Sequence, residues 1–276
     1  MKKKLFTSSA VCILVVITLL FACAPEKEDK EEGKEDIPIS NEQKKAEDGK
    51  QKMKTVFYSL PSPAESASLL KKSGTTYNGN LMNPIENNSK YITTQSRAIN
   101  LGIYLADLSY VALFEKQHIS VQYMDVAKKM ADGLGIPDAI NETVIKKLKN
   151  NQNNKKVVMQ IISESFLNAN SYLNQEIASI VVIGAWIEGL YLATELSGHS
   201  VSENTILVEI IVDQGLSLEN VLSLLDQNKD AEDIAPLLVD MTEINTIYEK
   251  MKPPVSQELF SELCEKVQSI RNEYTQ

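Results

Sequence analysis

Arginine is nearly missing from this chain: 276 residues contain two, Arg97 and Arg271. Histidine also occurs only twice, as His118 and His199, and the net charge is −9. Phosphate backbones are neutralised by clustered Lys and Arg. An acidic chain with two arginines argues against nucleic acid as a partner. Two histidines are too few for a zinc or di-iron centre unless several carboxylates converge with them. Glu195 lies one helical turn before His199, but nothing nearby completes a ligand set, so no metal is expected. Phosphate-cradling glycine loops, Gly-x-Ser-x-Gly elbows and dinucleotide fingerprints are also missing, so no cofactor is expected. Cysteine is scarce, with Cys12, Cys23 and Cys264 alone. Sustained apolar–polar alternation punctuated by turn dipeptides does not occur, which points away from β-structure.

What is present begins at the N-terminus. Met1-Lys2-Lys3-Lys4 is followed by an apolar run over 11–21 and then by Ala22-Cys23. A cationic start, a short hydrophobic stretch and a small residue at the cleavage point make a secretory signal peptide over residues 1–22. The run falls short of the ~20 apolar residues that span a bilayer. Leu20-Phe21-Ala22-Cys23 resembles the lipobox of bacterial lipoproteins. That resemblance implies a diacylglycerol on the Cys23 thiol and cleavage just before it. The other reading is an ordinary signal peptide with an incidental cysteine. Lipid would hold the chain at a membrane, each buried methylene contributing ~0.8 kcal/mol.

Cleavage removes Lys2, Lys3 and Lys4 and takes the net charge from −9 to −12. It also removes Cys12, and with Cys23 modified Cys264 has no partner for an internal disulfide. Residues 26–36 hold seven acids, three lysines and no apolar side chain. Such a stretch cannot bury a core and reads as part of a disordered tether over 23–53. It is either a solubilising spacer or, by resemblance, the export signal of surface lipoproteins in Bacteroidota.

The remaining residues, 54–276, read as one all-α domain. Ser62-Pro63-Ala64-Glu65 is a helix start, with Ser as N-cap, Pro in the first turn and Glu three positions on. That helix should end near Gly74. The asparagine-rich stretch 75–90, with Pro84, predicts a long loop. Apolar residues then recur at helical spacing. The pattern predicts helices from about Thr94, from a cap at Ser120 to Gly133, from Asn141, over Lys155–Leu173, over 176–197, and from Ser256 to Tyr274.

The chain also repeats itself at an offset of 82. Leu101-Gly102-Ile103-Tyr104-Leu105 faces Ile183-Gly184-Ala185-Trp186-Ile187, Ser120 faces Ser202 and Gly133 faces Gly215. Further on the offset drops to 77, and Val144 meets Val221. Matched caps and stops suggest two tandem four-helix units, about 94–174 and 176–250. With a closing helix over 256–275, these would build a helical-repeat domain, either a superhelical, TPR-like array or a bundle.

Helix 176–197 is apolar on all sides and should be the buried centre. Glu188 sits inside it, and a carboxylate there must be paired, hydrogen-bonded or protonated. Asp107, between Tyr104 and Tyr110 on the matching helix, is its nearest analogue. The two have two readings. They are an acid–base pair lining a pocket, as a glycoside hydrolase requires, or each bonds a hydroxyl or helix end nearby. Tyr104, Tyr110, Trp186 and Tyr191 form an aromatic set that is either core or, through Tyr104 and Trp186, a binding platform for sugars or peptides. Cys264 lies on the apolar stripe of the last helix and reads as a small buried hydrophobe.

Asn100-Leu101-Gly102-Ile103-Tyr104-Leu105-Ala106-Asp107-Leu108-Ser109-Tyr110, with Gly184-Ala185-Trp186-Ile187-Glu188-Gly189-Leu190-Tyr191, resembles a group of uncharacterised Bacteroidota lipoproteins. The resemblance covers most of residues 90–250. It implies an envelope location and a helical fold, and it brings no activity. The expectation is a lipid-anchored protein of the cell envelope, on the outer membrane, whose domain binds protein or glycan without catalysis. The alternative is a glycan-active hydrolase or glycan-binding protein built around Asp107 and Glu188.

Overall fold

A computed structural model describes residues 60–276, in which every regular element is helical. The all-α class expected from the sequence holds. The signal peptide, Cys23, the acidic tether and residues 54–59 lie outside the described residues.

Helix α1 (Pro63–Lys72) opens on the expected capping box: Glu65 N–H donates to Ser62 Oγ at 3.3 Å, and Ser62 N–H donates to Glu65 Oε2 at 2.7 Å. Two otherwise orphaned backbone donors are thereby satisfied. Ser62→Ala should cost about 1 kcal/mol in urea unfolding; an unchanged midpoint would show the cap to be dispensable. The loop 75–92 follows, carrying two short turns of tighter helix at Gly79–Leu81 and Ile85–Ser89.

Next come α2 (Thr94–Leu113), α3 (Gln117–Gly133), α4 (Glu142–Asn150) and α5 (Lys155–Tyr172). They are followed by α6 (Gln175–Leu196), α7 (Thr205–Asp226), α8 (Ala235–Lys250) and α9 (Gln257–Tyr274). Asn141, Asn174 and Ser256 cap α4, α6 and α9, each side-chain oxygen accepting a backbone N–H of the first turn. The helix starts predicted at Ser62, Asn141 and Ser256 thus agree with the structure.

The punctuation of the repeat does not survive. Helix α3 starts at Gln117, three residues before Ser120, whose hydroxyl bonds back to Lys116 O inside the helix. Asn204, not Ser202, caps α7. Gly215 lies within α7, and its missing Cβ leaves room for the Tyr248 ring, which would stand 3.0 Å from it. Residues 134–141, with Gly135 at φ 77° and Pro137, separate α3 from α4. The matching stretch of the second half holds no proline, and α7 runs through it unbroken. The second half therefore has three helices where four were expected, and the shared caps and stops of a tandem repeat are not there.

The core is built around α2 and α6, which pack against each other more extensively than any other pair. Their crossing is made by a reciprocal glycine contact. A Cβ on Gly102 would sit 2.0 Å from Val181 O, and one on Gly184 would sit 2.0 Å from Ile99 O. Backbone meets backbone there, so only hydrogen fits. Helices α1, α3 and α5 cover α2, while α7 and α9 cover α6 and α8 packs against both of those. Helix α6 is long and apolar enough to cross a membrane by composition, but 89% of its apolar window is buried inside the fold. Cys264 is buried in α9, and burial pushes its thiol up to about 12.

Candidate functional site

One turn beyond the glycine crossing, α2 carries Asp107 and α6 carries Glu188. Residues that diverge so little from a close backbone contact stay near each other, so the crossing brings the two carboxylates together. Both are 0% exposed. The sequence-based pairing of these residues is thus realised in space, but inside the core.

The third member comes from α9. Arg271 Nε donates to Glu188 Oε2 at 2.9 Å and Nη2 donates to Oε1 at 3.2 Å, a two-pronged pair. The guanidinium also donates from Nη2 to Leu81 O at 3.1 Å and stacks over the Tyr191 ring at 4.6 Å. Its burial works against its charge, yet the adjacent Glu188 carboxylate more than compensates and Arg271 stays a cation. A forked planar donor is what a buried carboxylate needs, since both oxygens are satisfied at once.

Asp107 is served less well. Its Oδ2 accepts from Asn83 N–H at 3.0 Å, while Oδ1 meets no donor. Burial first, and the Glu188 charge second, push this carboxyl well above the ordinary range, with Arg271 pulling the other way.

Asn83, from the loop 75–92, is the hub of the surrounding polar network. Its Nδ2 donates to Tyr91 Oη and to Asn100 Oδ1, both at 3.0 Å, and its carbonyl accepts from Tyr123 Oη at 2.9 Å. Tyr104 Oη donates to Pro84 O at 3.0 Å, and Tyr91 Oη donates to Thr275 O at 3.1 Å. Buried loop backbone has no ladder to join, so side chains must satisfy it. Here tyrosines and asparagines of the helices do so.

The two carboxylates and the aromatic set singled out from sequence are therefore all interior. Tyr104 and Tyr110 are fully buried tyrosines whose hydroxyls hold the loop, and Trp186 and Tyr191 are core residues of α6. Trp186 Nε1 has no hydrogen-bond partner. Glu195 Oε1 and His199 Nε2 are 3.0 Å apart, as their spacing suggested. No group of three or more His, Cys, Asp or Glu able to hold a metal occurs among the described residues. A cavity of about 230 Å³ lies elsewhere, lined by Ala112, Glu115, Gln117, Ser120, Lys155 and Val158 among others, and Asp107 and Glu188 do not line it.

Arg271 and Asn83 were missed from sequence. A signal for the first exists: Arg271 falls on the stripe Phe260, Leu263, Cys264, Val267, Ile270, and a buried carboxylate in an arginine-poor chain calls for a cation. No local signal distinguishes Asn83 from the other asparagines of its loop.

A buried, paired acid with a second buried acid beside it can fix helices in one arrangement. Neither carboxyl has any surface exposed to a solute. Comparison of the chain with protein-family models, with curated proteins and with solved structures finds no match to any of them.

Proposed function

We propose that this chain is a lipoprotein of the bacterial cell envelope, attached to the outer membrane through lipid on Cys23, and that its helical domain is a non-catalytic binding or scaffold module. The observation that carries the location is the order of residues at the start: Lys2-Lys3-Lys4, an apolar run, Leu20-Phe21-Ala22-Cys23, then seven acids within residues 26–36. The non-catalytic reading is supported by the burial of Asp107 and Glu188, with Glu188 held by Arg271 and one Asp107 oxygen held by Asn83 N–H. A glycoside hydrolase needs its two carboxyls to flank a sugar, and neither of these has access to one.

Labelling of cells with a fatty-acid analogue tests the anchor. Wild-type protein should take up label and partition into detergent, and Cys23→Ala should lose both. Label retained by the alanine protein would overturn the assignment.

A further inference from the structure

The Asp107–Glu188–Arg271 group has two acids and one base, all buried. Both Glu188 oxygens accept from the two-pronged Arg271 guanidinium. A second anion against it would be uncompensated in a medium that punishes isolated charge. Asp107 Oδ1 meets no donor, and the Glu188 carboxyl, itself an acceptor whose two oxygens are taken by Arg271, is among the groups that push Asp107 up. Two acceptors face to face need one proton between them. From these contacts we infer that Asp107 is a neutral carboxylic acid donating its proton to Glu188, and that this proton keeps the loop 75–92 closed over the group.

The other groups facing Asp107 leave no alternative source of compensation. Tyr104 and Tyr110 on α2, Tyr123 on α3, Tyr77 in the loop and Tyr191 on α6 are all driven further from ionisation, chiefly by burial. The buried faces of α1 and α5 carry no titratable side chain. Arg271 is the one cation in the group, and Glu188 already occupies it.

The loop is the part able to yield. Between residues 75 and 92 only Met82, Asn83 and Tyr91 are buried, whereas every other wall of the group is a helix of the core. Leu81 O caps the guanidinium and Asn83 N–H caps Asp107. An ionised Asp107 beside Glu188 requires water, and water enters by lifting this cover. The sign follows from linkage: a carboxyl raised in the folded state contributes stability at pH values near and below its unfolded value, and that contribution is lost as pH rises through its folded value.

The test uses the full chain in detergent. Loop amide exchange, expressed as protection relative to unstructured chain so that base catalysis cancels, should be constant below the ordinary aspartate value of about 4. Between that value and the raised value of the closed state it should fall about tenfold per pH unit, and it should level off above. Asp107→Asn reproduces the donor and the acceptor of the neutral acid without a titratable proton. Its loop protection should match that of wild type in acid and stay flat through neutral and alkaline pH, where wild type falls below it. Independently of any variant, carboxyl-labelled aspartate in wild-type protein should give one protonated resonance at neutral pH. An ionised Asp107 in that spectrum would overturn the proposal. So would an Asp107→Asn protein that fails to fold, or one whose loop opens with the wild-type pH dependence.

Discussion

Gly102→Ala should destabilise the protein by about 3 kcal/mol, although alanine is the better helix former. At an exposed helical position the same change stabilises by roughly 1 kcal/mol. The sign reverses here because the added carbon would stand 2.0 Å from Val181 O, a backbone atom that cannot rotate away. Relief requires α2 and α6 to separate, and these two helices hold the centre of the core. Overpacking costs of this kind run to about 1–3 kcal/mol, occasionally more. In a domain of this size that corresponds to a fall in Tm of roughly 10 °C, read by circular dichroism. Gly184→Ala should behave alike, since its Cβ would meet Ile99 O at the same distance. The double variant should cost less than the two singles together, because one separation relieves both clashes. Additive losses would show that the two glycines act independently. A stabilised Gly102→Ala protein would show that the helices are not in contact there.

Arg271→Ala should be the most damaging single change at the polar group, at about 4 kcal/mol. Removing one partner of a buried pair leaves an uncompensated charge, and such losses are roughly 3–5 kcal/mol. Arg271 also holds Leu81 O and covers the Tyr191 ring, so the loop and α6 lose contacts with it. Without the guanidinium the two buried carboxyls are left with no cation, and charge on either is least tolerated when both are ionised. The deficit of Arg271→Ala should accordingly be smallest in acid and grow toward neutrality. Glu188→Gln should cost less, because Asp107 stands ready to ionise and serve the stranded guanidinium. Urea titrations of both variants across pH would decide. Equal losses, or a deficit that does not depend on pH, would remove Arg271 from the role given to it.

Much of the helical layout could be read in advance because its signals are local. Ser62 with Glu65, Asn141 and Ser256 announce helix starts through contacts a few residues long. The apolar character of α6 announces a central helix, and its place in the core agrees. Where the reading failed, a residue type with two uses was given the wrong one. Gly215 is a space for Tyr248 and not a helix stop, and Ser120 bonds back along its helix instead of capping it. Sequence position alone does not separate those uses, because the deciding partner comes from another helix or from the helix's true start.

The scarcity of arginine and histidine, met at the outset, now has a sharper meaning. The amino-acid sequence by itself determined the helical class, most helix boundaries, the acidic balance and the presence of a carboxylate inside an apolar helix. Only the tertiary structure decided that Glu188 meets Asp107 at a glycine crossing, and that Arg271 arrives from 83 positions away to hold it. Helix formation is settled by neighbours along the chain. Charge compensation in a core is settled by whichever side chain the packing delivers, and in this protein packing delivered one of only two arginines.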